Sequence, residues 1–210
     1  MRDLNILICE GNTPEEGKIF QEVGIPTHTE SLKESLDYYN QNLKIDVLNP
    51  CLKLDLNEIA SKLRKYDGLI WGGSSLNIYN DTPEIRRQIS FMKECFKNVK
   101  KILAICWGMQ VAVTAAGGEV KKGIKGSHIG IANDIELTND GINNSLYKDK
   151  KSKFNTPAFN FDEVVTVPTG AKHLASNKIN NHINFIEEEI RISEKDSRML
   201  ELRNWLNLIN

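Results

Sequence analysis

Cysteine is scarce: the chain holds four in 210 residues, Cys9, Cys51, Cys95 and Cys106. No two stand at a metal-ligand spacing, so neither a metal site nor a disulfide framework is expected, and a reduced cytoplasmic setting fits the thiols. Excess charge of either sign is also missing. Twenty-seven Lys and Arg face 28 Asp and Glu, which removes the electrostatic drive towards nucleic acid or an anionic membrane surface. No apolar run approaches the ~20 residues of a membrane span. Met1-Arg2-Asp3-Leu4 leads into a strand-like segment rather than a secretory leader. No internal repeat, low-complexity tract or clear linker interrupts the chain. What remains is ordinary globular composition, 40% apolar and 26% charged, sufficient for one domain over 1–210 with a sizeable core.

The first 118 residues alternate. Short β-type runs at Leu4–Cys9, Lys44–Leu48, Gly68–Trp71 and Ile102–Ile105 are separated by segments of helical pattern at Ser31–Asn40, Asn57–Arg64 and Pro83–Asn98. Ser31, with Glu34 three residues on, reads as a helix cap. Thr82-Pro83 reads as a cap followed by a first-turn proline. Glu10–Pro14 is a cluster of turn formers. Strand–helix alternation predicts α/β architecture: a three-layer sandwich whose mostly parallel sheet is flanked by helices, with loops bearing chemistry at the carboxyl ends of the strands. Residues 119–210 have a different texture. Short β runs are expected at Ile129–Ala132, Ile135–Leu137, Glu163–Val167 and His173–Ala175, a solvated loop at Asn139–Lys153 and a closing helix at Glu187–Ile209.

The fourth strand ends in Ala104-Ile105-Cys106-Trp107-Gly108-Met109-Gln110, and a segment of helix length follows, closed by Gly117-Gly118. A cysteine after a strand is ordinarily a small buried hydrophobe. Gly108 and Gln110 are poor core fillers, however, and a strand–turn–helix elbow lifts its central side chain above the sheet. The start of the next helix favours a thiolate there. The stretch resembles the G-x-C-x-G nucleophile elbow, with Gln two residues on, of class I (triad-type) glutamine amidotransferases. It matches at Cys106, Gly108 and Gln110 and departs at Ala104, where that family usually has Gly. Gly72-Gly73-Ser74 resembles the family's G-G-P oxyanion loop, with Ser74 in place of Pro. Phe154–Pro157, Asp162–Gly170 and Leu174–Asn177 resemble its late segment, and the likeness is nearest to the stand-alone GMP synthase-like subgroup. No S-G-G-x-D-S-type loop of an ATP-pyrophosphatase is present.

The resemblance implies a class I amidotransferase-like, flavodoxin-like fold and hydrolysis of the γ-amide of glutamine through a thioester on Cys106. It further implies oxyanion donors at the Gly73 and Trp107 N–H groups and substrate contacts at Gly72 and Gln110. No cofactor is expected, and the ammonia would pass to an acceptor or synthase partner. The family's late His-Pro-Glu element has no recognisable counterpart. Its place is taken by Lys178–Glu189, where His182, with Glu187, Glu188 or Glu189, is the candidate base. A histidine common before the Asp-Glu-Val element is replaced by Asn160. Impaired activity is therefore expected. The alternatives are a non-catalytic relative serving as a binding or regulatory module, and another cysteine-elbow hydrolase such as one of the dienelactone type.

Overall fold

Two strands with no polar face set the centre of the molecule. The computed structural model describes residues 3–123, 128–177 and 198–209. β1 (Asn5–Cys9) buries Ile6 to Cys9, and β3 (Gly68–Trp71) is buried throughout. Such continuous apolar strands belong where helices cover both faces of a parallel sheet. β1 pairs in parallel with β2 (Lys44–Leu48) on one side and with β3 on the other. β3 then pairs in parallel with β4 (Ile102–Ala104). The order is β2-β1-β3-β4, so the chain reverses direction across the sheet between β1 and β3. The loops leaving the carboxyl ends of these two strands flank the resulting crevice, where α/β sheets take their ligands.

The connecting helices are α1 (Pro14–Glu22), α2 (His28–Tyr39), α3 (Leu56–Leu63), α4 (Pro83–Asn98) and α5 (Trp107–Ala115). α4 is opened by Thr82, whose hydroxyl accepts the Ile85 N–H, and by Pro83. It buries Ile85, Gln88, Phe91, Met92 and Cys95. All of these but Gln88 join Leu7, Leu69, Trp71, Trp107 and Val111 in one apolar cluster, with the Trp71 and Phe91 rings edge to face at 5.9 Å. The first compact unit comprises Met1–Lys121, Val164–Thr169 and Ile209–Asn210. β5 (Glu119–Lys122) pairs with β8 (Asp162–Thr166).

The second unit, Lys122–Glu163 and Gly170–Leu208, is built on antiparallel pairing. β6 (His128–Leu137) runs against β7 (Lys153–Asn160), with a register shift between Ala132 and Ile135. β9 (Ala175–Ser176) pairs with the end of β6. α7 (Arg198–Ile209) buries Leu200, Leu202, Trp205 and Leu206. The Asn204 amide donates to the carbonyls of Leu146 and Lys148, each at 2.9 Å. The Lys150 side chain is wholly buried, its ammonium paired with Glu201 at 2.6 Å and lying 4.3 Å from the Phe154 ring centre.

Several expectations need correction. The turn formers at Glu10–Pro14 lead into a helix, α1, that the apolar pattern did not announce. α2 starts at His28, capped by Thr27 and Glu30 rather than by Ser31 and Glu34. Asn139–Lys153 is not plain loop: it holds a short helix, α6 (Asn139–Ile142), capped by Thr138, and a 3₁₀ turn at Ser145–Tyr147. The two β runs expected at Ile129–Ala132 and Ile135–Leu137 form one bulged strand. Asp134 takes φ 55° there, and its N–H donates to Asn155 Oδ1. The expected helix from Glu187 is described only from Arg198. No helix among the described residues is long and apolar enough to cross a membrane.

Candidate active site at the cysteine elbow

After β4 the chain turns into α5 with Cys106 at the cap position, at φ 53° and ψ −108°. A non-glycine residue in so sparsely populated a region carries strain of about 1–3 kcal/mol and stays only where its surroundings hold it. Here the hold is a set of backbone bonds. Ile105 N–H donates to the Trp71 carbonyl (2.8 Å), and Gly108 N–H forks to the carbonyls of Gly72 (2.9 Å) and Ile105 (3.0 Å). Gln110 N–H donates to the Cys106 carbonyl at 3.1 Å. Glycine is needed at 108 because a Cβ there would overlap the Trp71 carbonyl oxygen and stand 2.7 Å from Trp71 Cβ. The elbow is thereby tied to the loop that leaves β3.

Cys106 is partly exposed, whereas Cys9, Cys51 and Cys95 are buried. Burial pushes the Cys51 thiol up to about 12, with Glu16, Glu10 and Glu84 adding to the effect. Burial likewise holds Cys9 and Cys95 well above the ordinary thiol range. Cys9 and Cys95 join the apolar cluster, whereas Cys51 Sγ accepts the Gln88 amide at 3.1 Å and donates to the Asn12 carbonyl at 3.5 Å. Among the described residues no set of His, Cys, Asp and Glu is arranged to hold a metal ion.

Two polar side chains absent from the sequence-based expectations fix the loops around Cys106. The first is Gln88, the one polar member of the buried stripe of α4. Its carbonyl oxygen accepts the Trp107 indole N–H at 2.7 Å, and its amide donates to the Gly11 carbonyl at 3.2 Å. The residue after the elbow cysteine is thus anchored to α4 and to the loop after β1. The second is Asn12, which has no exposed surface. Its Oδ1 accepts the Ser74 hydroxyl (2.9 Å), the Ser75 N–H (3.0 Å) and the Ser75 hydroxyl (3.3 Å). The Ser75 hydroxyl also lies 2.7 Å from Glu16 Oε1. Gly11 completes the junction, since a Cβ there would fall 2.7 Å from Trp107 Cδ1 and 2.9 Å from the Gly73 carbonyl.

The structure brings Cys106, Trp107, Gln110, Gly72 and Gly73 together in the first unit. Trp107 is 1% exposed and Gln110 6%. His182 and Glu187 to Glu189 lie outside the described residues. His28 is brought to the same place. A Cβ on Gly73 would stand 2.9 Å from His28 Nε2 and 3.0 Å from ring atoms Cδ2 and Cε1. The sequence carried one mark for Gln88, a glutamine inside an apolar helical stripe. Nothing local marked Asn12 or His28, because their partners stand 62 and 45 positions away along the chain.

Cys106 thus stands at positive φ at the start of α5, at the carboxyl edge of the parallel sheet, with Gly108 bonded to the Gly72-Gly73 loop, the geometry of a strand–turn–helix elbow. A family model for glutamine amidotransferase class-I matches residues 27–193. The chain belongs to this family. Over 190 residues it is 32% identical to a γ-glutamyl-L-1-hydroxyisopropylamide hydrolase of Pseudomonas sp., covering 89% of this chain and 62% of that protein. Over 115 residues it is 31% identical to γ-glutamyl peptidase 4 of Arabidopsis thaliana, covering 54% and 45%. The chain thus spans about half to three fifths of the length of these relatives. Solved glutamine amidotransferases share the fold at 17% identity. One from Thermotoga maritima has a TM-score of 0.54, covering 83% of this chain and 67% of that one. One from Methylobacillus flagellatus has a TM-score of 0.56, covering 83% and 61%.

Proposed function

We propose that this protein hydrolyses γ-glutamyl amides, glutamine being the simplest, through a thioester on Cys106. The sulfur adds to the γ-carbonyl carbon, and the oxyanion accepts the N–H groups of Gly73 and Trp107. The C–N bond then breaks as the amine takes a proton, and water cleaves the thioester to release glutamate. Gly72 and Gln110 line the substrate. The observation that carries this reading is Cys106 held at positive φ while Gly108 N–H is bonded to the Gly72 carbonyl. Relatives whose names specify γ-glutamyl amides and peptides support a substituted amide as substrate beside glutamine itself. With glutamine the product is ammonia, and an acceptor or synthase partner would consume it.

His182 is assigned as the base. Because the late His-Pro-Glu element has no recognisable counterpart, turnover is expected to be slow: loss of a triad member costs orders of magnitude while the oxyanion donors keep a residue of catalysis. The test is release of ammonia from glutamine, and of amine from a γ-glutamyl anilide, by the wild type, Cys106→Ala and His182→Ala. Loss in both variants supports the assignment. Loss in Cys106→Ala alone removes His182. No release by the wild type favours the second reading, a non-catalytic relative that binds γ-glutamyl compounds, for which the missing element is the motivating observation.

A further inference from the structure

His28 is the first residue of α2 and is exposed, yet its ring leans on Gly73 with the Nε2 end foremost. It is not a satisfied core histidine: among the described residues neither ring nitrogen meets a hydrogen-bond partner. Its neighbours limit its swing. The Phe20 ring stands 6.2 Å away, centre to centre, and Leu32 of the same helix lies against Gly72.

We propose that His28 recognises the substrate, its imidazole binding the α-carboxylate of a γ-glutamyl compound. The proposal rests on the γ-glutamyl reading above and follows from reach and charge. If the Gly73 N–H receives the oxyanion, the γ-carbonyl sits about 3 Å from that nitrogen. Three carbons join this carbonyl to the α-carboxylate, so the carboxylate lies within about 5 Å of it, given C–C bonds near 1.5 Å. The amino-acid end therefore lies within about 8 Å of that nitrogen, in reach of the oxyanion loop and its neighbours.

A carboxylate taken from water needs a donor there. The hydroxyls of Ser74 and Ser75 already point to Asn12 and Glu16. Glu10 and Glu16 are fixed on the same side, Glu10 to the Asn12 N–H and Glu16 to the Thr13 N–H, and would repel an anion. Among the described residues, His28 is the side chain nearest a Cβ on Gly73, and its ring N–H can donate a charge-assisted bond to a carboxylate. The substrate class is accordingly γ-glutamyl amides with an unblocked α-carboxylate.

The test compares wild type, His28→Ala and His28→Gln on γ-glutamyl-p-nitroanilide and on its α-methyl ester. His28→Ala is expected to raise KM for the free acid roughly tenfold or more, the scale of one lost charge-assisted bond. It should leave kcat within about threefold and KM for the ester unchanged. His28→Gln should recover part of the loss. Equal effects on both substrates would overturn the proposal, as would a fall in kcat alone with a displaced pH profile, which marks a proton-transfer group instead. A second readout needs no turnover: inactivation by 6-diazo-5-oxonorleucine, followed by mass spectrometry at Cys106. His28→Ala should raise the half-saturating concentration while iodoacetamide alkylation stays unchanged, and an unchanged half-saturation would overturn the proposal. If iodoacetamide labels wild-type Cys106 and the glutamine analogue does not, the γ-glutamyl reading itself fails, and the role of His28 with it.

Discussion

Cys106 holds a backbone conformation that glycine adopts freely and cysteine adopts under strain. Cys106→Gly is therefore expected to be more stable than Cys106→Ala by about 1–2 kcal/mol. That difference is readable as a rise of about 2–8 °C in midpoint for a chain of this size, with neither variant hydrolysing substrate. The opposite order would mean that the elbow relaxes when the thiol is removed. Exposure separates the four thiols as well. Native protein treated with iodoacetamide near pH 8 should carry the label on Cys106 alone, because Cys51, at about 12, and the still more buried Cys9 and Cys95 are both protonated and covered. Mass spectrometry before and after unfolding decides this, and early labelling of Cys51 would contradict the burial described.

At the scale of elements, helices that bury an apolar stripe were legible and helices held by their caps were not. α4 announced itself through Thr82-Pro83 and the spacing of Ile85, Phe91 and Met92. α1 buries no residue. It is held instead by the reciprocal bonds of Thr13 and Glu16, with Pro14 in the first turn, so the same residues read as a turn. In α2 two capping patterns compete four residues apart, and Thr27-Glu30 wins over Ser31-Glu34. The loops around the elbow depend on Asn12. Asn12→Ala is expected to cost about 1–3 kcal/mol, because the part-buried bonds from the Ser74 hydroxyl and the Ser75 N–H lose their acceptor. It should lower kcat more than it raises KM, and chemical denaturation beside kinetics checks both. In the second unit, Glu201→Leu leaves Lys150 buried without its partner and should cost about 3–5 kcal/mol, while Lys150→Met with Glu201→Leu should restore most of it. A double-mutant cycle measures the coupling.

Across the whole molecule, the parallel register delivers three loops to one edge of the sheet, and two of them were visible in advance as Gly72-Gly73 and Cys106. The third, Gly11-Asn12, was hidden because its meaning lies in a partner 62 residues on. If the edge binds a γ-glutamyl compound, Cys106→Ala should bind it without consuming it. Ligand at one hundred times its Kd should then stabilise that variant by about 2.7 kcal/mol, and an unmoved midpoint would contradict substrate binding. The strained elbow has a further consequence, on the scale of descent. Many single-step replacements of a surface residue leave stability almost untouched, but at position 106 a change to glycine relieves backbone strain. In a lineage released from chemistry this codon would drift early, and the thiol would vanish before Gly108 or the strands. If Cys106 is the nucleophile, a population of such sequences can thus be sorted by one position into those still answerable to a reaction and those keeping the scaffold alone.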